Sequence, residues 1–118
     1  MKESEIILYT TPKGDVKIDI RFEDETFWLS QQKIADLFEV DRTVITKHLG
    51  NIYSEEELDK TATSAKFAQV RTEGNRQVTR YIEFYNLDAI IAVGYRVNSF
   101  SATQFRIWAT KTLKEFII

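Results

Sequence analysis

The 118-residue chain has no cysteine, which excludes disulfides and thiolate metal sites and removes any pointer to an oxidising compartment. It has one histidine, His48, with no second base or ligand set to pair with it for acid–base or metal chemistry. The four glycines, Gly14, Gly50, Gly74 and Gly94, stand isolated, so there is no glycine-rich phosphate loop. No apolar run approaches membrane-spanning length, and the N-terminus lacks a basic-plus-apolar leader; a cytoplasmic protein is the expectation. Ser30 and Ser101 read as helix caps, not nucleophiles, and Trp28 and Trp108 as core. These absences argue against an enzyme and leave no need for a cofactor, a metal or a small-molecule substrate.

Charge is present but divided. Residues 1–59 carry 7 Lys+Arg against 14 Asp+Glu (net −7), and residues 60–118 carry 9 against 4 (net +5), summing to the overall −2. A net acidic chain has little non-specific affinity for nucleic acid, because phosphate neutralisation supplies most of that term. A local basic face remains compatible with binding. The acidity is concentrated in Glu23-Asp24-Glu25 and in Glu55-Glu56-Glu57 with Asp59. Those runs read as solvated surface in preference to a divalent-metal site, and they must point away from any DNA.

The most informative stretch is 30–52, SQQKIADLFEVDRTVITKHLGNI. Ser30 caps a helix whose Ile34, Ala35 and Phe38 share one face. Asp41 caps a second helix in which Ile45, Leu49 and Ile52 form a buried stripe. Arg42, Thr43, Thr46 and Lys47 are left outward, a short, basic, hydrogen-bonding face of the kind that reads a major groove. Ala35, Phe38, Val40, Arg42, Ile45, His48 and Leu49 resemble the helix-turn-helix of many bacterial regulators. Glu39 departs from that pattern: it takes the turn site usually held by glycine, so either it is strained or the turn differs. An ordinary helical hairpin of a core is the competing reading. His48, on the helix flank, reads as a packing or partner contact.

Two hairpins frame this unit. The first spans 5–22, with Thr11-Pro12-Lys13-Gly14-Asp15 as its turn and Val16, Ile18, Ile20 and Phe22 as the half-buried set. Phe27-Trp28-Leu29 is a third short strand or an apolar plug. Residues 54–63 read as a capped helical turn and a polar linker. The second hairpin spans 65–85 about Gly74-Asn75, a two-residue primed turn. Its register sets Glu73 opposite Arg76, Gln69 opposite Arg80 and Phe67 opposite Ile82, with Phe67, Val78, Ile82 and Phe84 on one face. Arg71, Arg76 and Arg80 then cluster at its tip, as in a wing that contacts phosphates or a minor groove; solvated surface arginines are the alternative. Asn86 caps a helix over 87–95, weakened at Gly94. After a loop, Ser101 caps a last helix over 102–118 with Phe105, Trp108, Leu113 and Phe116 buried. The expectation is one α+β domain, winged helix-turn-helix-like, with an N-terminal β-hairpin and C-terminal helices, excised from a longer protein.

NLDAIIAVGYRVNSFSATQFRIWATKTLKEF (86–116) resembles the N-terminal region of the RhuM virulence-associated family, bacterial proteins often found near mobile elements. The likeness extends back through WLSQQKIADLFEVDRTVITKHLGNIY and the second hairpin. The layout of Arg96, Phe105, Arg106 and Trp108 is similar, more loosely, to the Bro-type DNA-binding domain of phage antirepressors. Both resemblances imply a DNA-binding module and no established reaction. The expected partner is double-stranded DNA, with a homodimer as a second partner. The expected site is Ser30, Gln31, Arg42, Thr43, Thr46, Lys47, Arg71, Asn75, Arg76 and Arg80, in a regulator of a mobile element or virulence island. The alternative is a protein-interaction or dimerisation module that keeps the helical architecture without binding DNA.

Overall fold

The computed structural model describes residues 5–14 and 16–116. Five antiparallel strands, β1 (Glu5–Thr10), β2 (Lys17–Glu23), β3 (Thr26–Ser30), β4 (Ser64–Glu73) and β5 (Arg76–Asn86), form one sheet in the order β1-β2-β3-β5-β4. Five helices, α1 (Gln31–Phe38), α2 (Arg42–Ser54), α3 (Lys60–Thr63), α4 (Leu87–Val97) and α5 (Phe100–Phe116), complete the domain. Strand alternation decides what each face holds. Tyr9, Ile18, Ile20, Phe27, Leu29 and Tyr85 face a core shared with Ile34, Leu37, Phe38, Ile45, Ile52, Ile90, Val93 and Phe105. Trp28 and Phe84, also buried, lie on the opposite face with Phe67, whose ring centroid is 5.4 Å from that of Trp28 and 5.3 Å from that of Phe84. Trp28 therefore belongs to a second, smaller aromatic cluster, capped by the Arg21 guanidinium 4.0 Å above Phe67.

The class α+β holds, but the domain is not the winged helix-turn-helix-like fold that the sequence suggested. β3 pairs with β2 on one side and with the end of β5 on the other, through Trp28↔Asn86, Leu29↔Tyr85 and Ser30↔Phe84. That short strand fuses the two hairpins into a continuous sheet, so the second hairpin is no appended wing. α3 is a single turn of four residues. Sequence reading left 27–29 open between strand and plug, and the whole architecture turned on that choice.

Local expectations fared better. The register of the second hairpin is as read, with Glu73↔Arg76, Gln69↔Arg80 and Phe67↔Ile82. Gly74 alone of its two turn residues has positive φ (+64°), the pattern of a II′ turn. In the first hairpin Gly14 N–H donates to the Thr11 carbonyl at 2.8 Å, while Asp15 lies outside the described residues. The Ser30, Asp41 and Asn86 caps are present, accepting from Lys33, Thr43 and Ala89 N–H at 3.3, 3.0 and 3.2 Å. The last helix begins earlier than expected: Ser99, not Ser101, is its cap, accepting from Ala102 N–H at 3.1 Å. The Phe116 side chain, Ile117 and Ile118 lie outside the described residues. Gly94 is a packing residue within α4, where a Cβ would meet the Ala102 Cβ and the Phe38 ring at 3.4 Å.

Glu39 adopts φ 57°, ψ 45° and closes α1 as a Schellman turn, with Val40 N–H donating to Ala35 O at 3.1 Å and Glu39 N–H to Asp36 O at 3.3 Å. Its carboxylate accepts a hydrogen bond from the buried Ser101 hydroxyl at 2.8 Å, which ties the turn to α5. A glutamate serves here because its side chain has a partner 62 residues away.

The β2–β3 turn is closed by Glu23↔Thr26, with Asp24 and Glu25 both at positive φ (55° and 61°), the signature of a type I′ turn. Asp tolerates that region; Glu pays a steric cost of order 1 kcal/mol. Glu25→Gly is accordingly expected to stabilise the domain by about 1 kcal/mol, raising Tm by roughly 4 °C in calorimetry. An unchanged or lowered Tm would show that Glu25 makes an interaction that offsets its backbone strain.

Candidate nucleic-acid interface

Beyond the three residues that pair with β3, β4 and β5 continue as a ribbon with no third strand paired to it, Lys66–Glu73 against Arg76–Glu83, about 25 Å long. β3 ends at Ser30 and the chain turns directly into α1, which sets the start of α1 beside the root of this ribbon. The tight α1–α2 turn then brings the first residue of α2 to the same place. The result is a cleft of about 530 Å³ lined by Ser30, Gln31, Gln32, Lys33, Arg42, Gln69, Arg71, Ile82, Glu83 and Tyr85. It gathers three cations, Lys33, Arg42 and Arg71, and one carboxylate. Glu83 is partly neutralised by Lys60 at 3.6 Å. The Tyr85 hydroxyl donates to Glu83 Oε1 at 3.4 Å, and burial, reinforced by Glu83, pushes its pKa up to about 12, so it stays a donor. The cleft is thus a positively charged, hydrogen-bonding groove suited to a phosphate backbone.

Four of the residues expected from the sequence, Ser30, Gln31, Arg42 and Arg71, meet in this cleft. The other six do not line it. Thr43 and Thr46 are exposed on α2, but their hydroxyls are engaged: Thr43 Oγ donates to the Asp41 carboxylate, and Thr46 Oγ donates to Arg42 O at 3.1 Å and accepts from the Gln31 amide. That last contact fixes Gln31 across the helix pair. Lys47 is exposed on the same face, with no ion-pair partner among the described residues. Asn75 and Arg76 form the exposed ribbon tip. Arg80 is held by Glu73, donating from Nη2 at 2.8 Å and Nε at 3.2 Å, so its charge is largely compensated. Sequence reasoning missed Lys33 and Gln69. Lys33 sits in the first turn of α1, and Gln69 was already placed opposite Arg80; both were within reach of the pattern.

The acidic run after α2 stands about 20 Å along that helix from Arg42, at 1.5 Å per residue. Glu55 and Glu57 each accept from Arg96 Nη2 at 2.9 Å, which ties the end of α2 to α4 and offsets part of that charge away from the cleft. His48 is half-buried, and burial first, then Arg96 and Lys47, hold its imidazole below the ordinary value and therefore neutral at pH 7. No group of three or more metal-ligating side chains converges among the described residues. No helix among them is long and apolar enough to cross a membrane.

Residues 62–118 match the model of the Virulence protein RhuM family. The match starts just ahead of β4 and takes in the ribbon, α4 and α5, a narrower span than the near-complete likeness read from the sequence; it carries no Bro-type similarity. No curated protein and no solved structure matches the chain. The similarity to the Virulence protein RhuM family thus lies in residues 62–118, just under half of the chain.

Proposed function

We propose that this domain is a non-enzymatic, cytoplasmic double-stranded DNA-binding module, acting in transcription regulation within a mobile element or virulence island. The observation that carries this reading is the convergence of Lys33, Arg42 and Arg71, from three different elements, on one cleft beside the exposed face of α2. Charge gathered from distant parts of a net acidic chain is local by construction, which is how such a protein binds phosphate without strong non-specific affinity. Arg42, Thr43, Thr46 and Lys47 present the base- and phosphate-facing side of α2. Ser30, Gln31, Lys33 and Arg71 hold a backbone in the cleft, and Arg76 reaches further along the duplex.

The test is fluorescence anisotropy of the domain on mixed-sequence duplex across a salt series. Salt-sensitive binding supports the proposal, and absence of binding even at low salt overturns it. Lys47→Ala is expected to flatten the plot of log K against log[salt] by ~0.9, the value for one lost phosphate contact. An unchanged slope removes Lys47 from the interface.

A further inference from the structure

The ribbon has two chemically different faces. Gln69, Arg71, Glu73, Arg76, Val78, Arg80 and Ile82 share one by strand alternation, and it contributes Gln69, Arg71 and Ile82 to the cleft. The other carries Ala68, Val70, Thr79 and Tyr81 at its middle, flanked by Thr72 and Gln77 towards the tip and by Lys66 and the cleft residue Glu83 towards the root, with Val70 66% and Tyr81 71% exposed. These two are the most exposed large hydrophobics among the described residues. They sit beside an open sheet edge. β4 is ten residues long, pairs with β5 alone, and runs Ser64–Glu73 without proline, bulge or positive φ. Soluble proteins ordinarily shorten, kink or cover such an edge, because its free N–H and C=O groups template another strand.

We propose that β4 pairs antiparallel with β4 of a second copy of this chain, making a two-fold dimer with a continuous ten-stranded sheet. The occupant is specified by the self-complementarity of the edge. Centred on Gln69 opposite its symmetry mate, the register pairs residues 65–73 of the strand and sets Ala68 opposite Val70, Phe67 opposite Arg71, Lys66 opposite Thr72 and Ala65 opposite Glu73. No like charges face each other anywhere along it. Ala68, between Tyr81 and the partner's Val70, is small enough for the Tyr81 ring to lean over that valine, so the two exposed side chains cover each other across the seam. An antiparallel strand pair has its two-fold axis perpendicular to the sheet. Both copies therefore turn the same ribbon face, and both clefts, to one side. The interface is isologous and closed.

This inference does not rest on the DNA reading, and its test needs no DNA. Sedimentation equilibrium of the chain should show a mass rising with concentration towards twice the monomer. Ala68→Lys with Val70→Lys places lysine against lysine on both sides of the central Gln69 pair and should return the mass to that of a monomer. Ala68→Glu with Val70→Lys places opposite charges there and should restore the dimer. Both substituted positions, Ala68 and Val70, are solvent-exposed, so circular dichroism should be unchanged. A wild-type chain that stays monomeric at every concentration overturns the proposal, as does a lysine pair that dimerises like wild type. If the glutamate–lysine variant stays monomeric, the paired-edge register is wrong. Should the lysine pair unfold the ribbon, amide exchange of the wild type decides: protection of alternate β4 amides must rise with protein concentration, and concentration-independent exchange overturns the dimer.

Discussion

Replacing Arg42 and Arg71 together by alanine is expected to lower the salt-dependence slope of DNA binding by about 2, and low-salt affinity by roughly 100-fold. The slope follows from two lost phosphate contacts at ~0.9 each, and the affinity from about 1.5 kcal/mol for each charge-assisted hydrogen bond. Both side chains are exposed at the rim of the cleft, and among the described residues the one hydrogen bond of either guanidinium runs from Arg71 Nη2 to Gln69 Oε1 at 3.3 Å. Melting should therefore be unaffected, which separates loss of contact from loss of fold. Arg80→Ala offers the contrast, because Glu73 already compensates that guanidinium; its slope change should be smaller than that of Arg71→Ala. Equal slopes for Arg80→Ala and Arg71→Ala would mean that the Glu73 pair opens on DNA. A double variant with wild-type slope and affinity would remove the cleft from the binding surface.

Phe105→Ala should be the most damaging single change to the fold. Phe105 is 1% exposed and joins three elements: its ring lies 5.5 Å from Tyr9 of β1, 6.2 Å from Phe38 of α1 and 5.7 Å from Trp108 of its own helix. Truncation removes buried apolar surface and leaves a cavity that rigid strands and helices on every side cannot close. The cost should be about 3–5 kcal/mol, read as a lower urea midpoint with little change in m. Against a total stability of about 5–15 kcal/mol for a domain, that leaves a protein marginal at physiological temperature. A loss under about 1 kcal/mol would show that α5 repacks freely on the sheet, contrary to a core in which Phe105 is the wedge.

What could be read from the sequence has a common physical basis: it rests on interactions within a few residues. Helix caps at Ser30, Asp41 and Asn86, the apolar stripes of α1 and α2, and the register about Gly74-Asn75 are each settled by local chemistry and periodicity. Ser99 and Ser101 could not be told apart locally, because both are cap-competent and only the partner of Ser101, Glu39, distinguishes them. The pairing of β3 with β5 joins residues more than fifty positions apart. Nothing within 26–30 announces it, since a short apolar run suits a strand or a plug equally. The winged-helix expectation failed at that point.

The same division runs through the candidate site. By itself the sequence determined which cations exist, that Arg42 and Lys47 lie outward on one helix, and that Arg71 lies near the end of a hairpin. Tertiary structure decided which of them act together. It brought Lys33, Arg42 and Arg71 into one cleft because β3 ends where α1 begins, beside the ribbon root. It withdrew Arg80 through Glu73, tied Arg96 to Glu55 and Glu57, and left β4 as an open edge. Side-chain direction along an element follows from period, whereas the meeting of elements follows from long-range pairing whose energy is shared over the whole sheet and core, and no local window of sequence carries that sum.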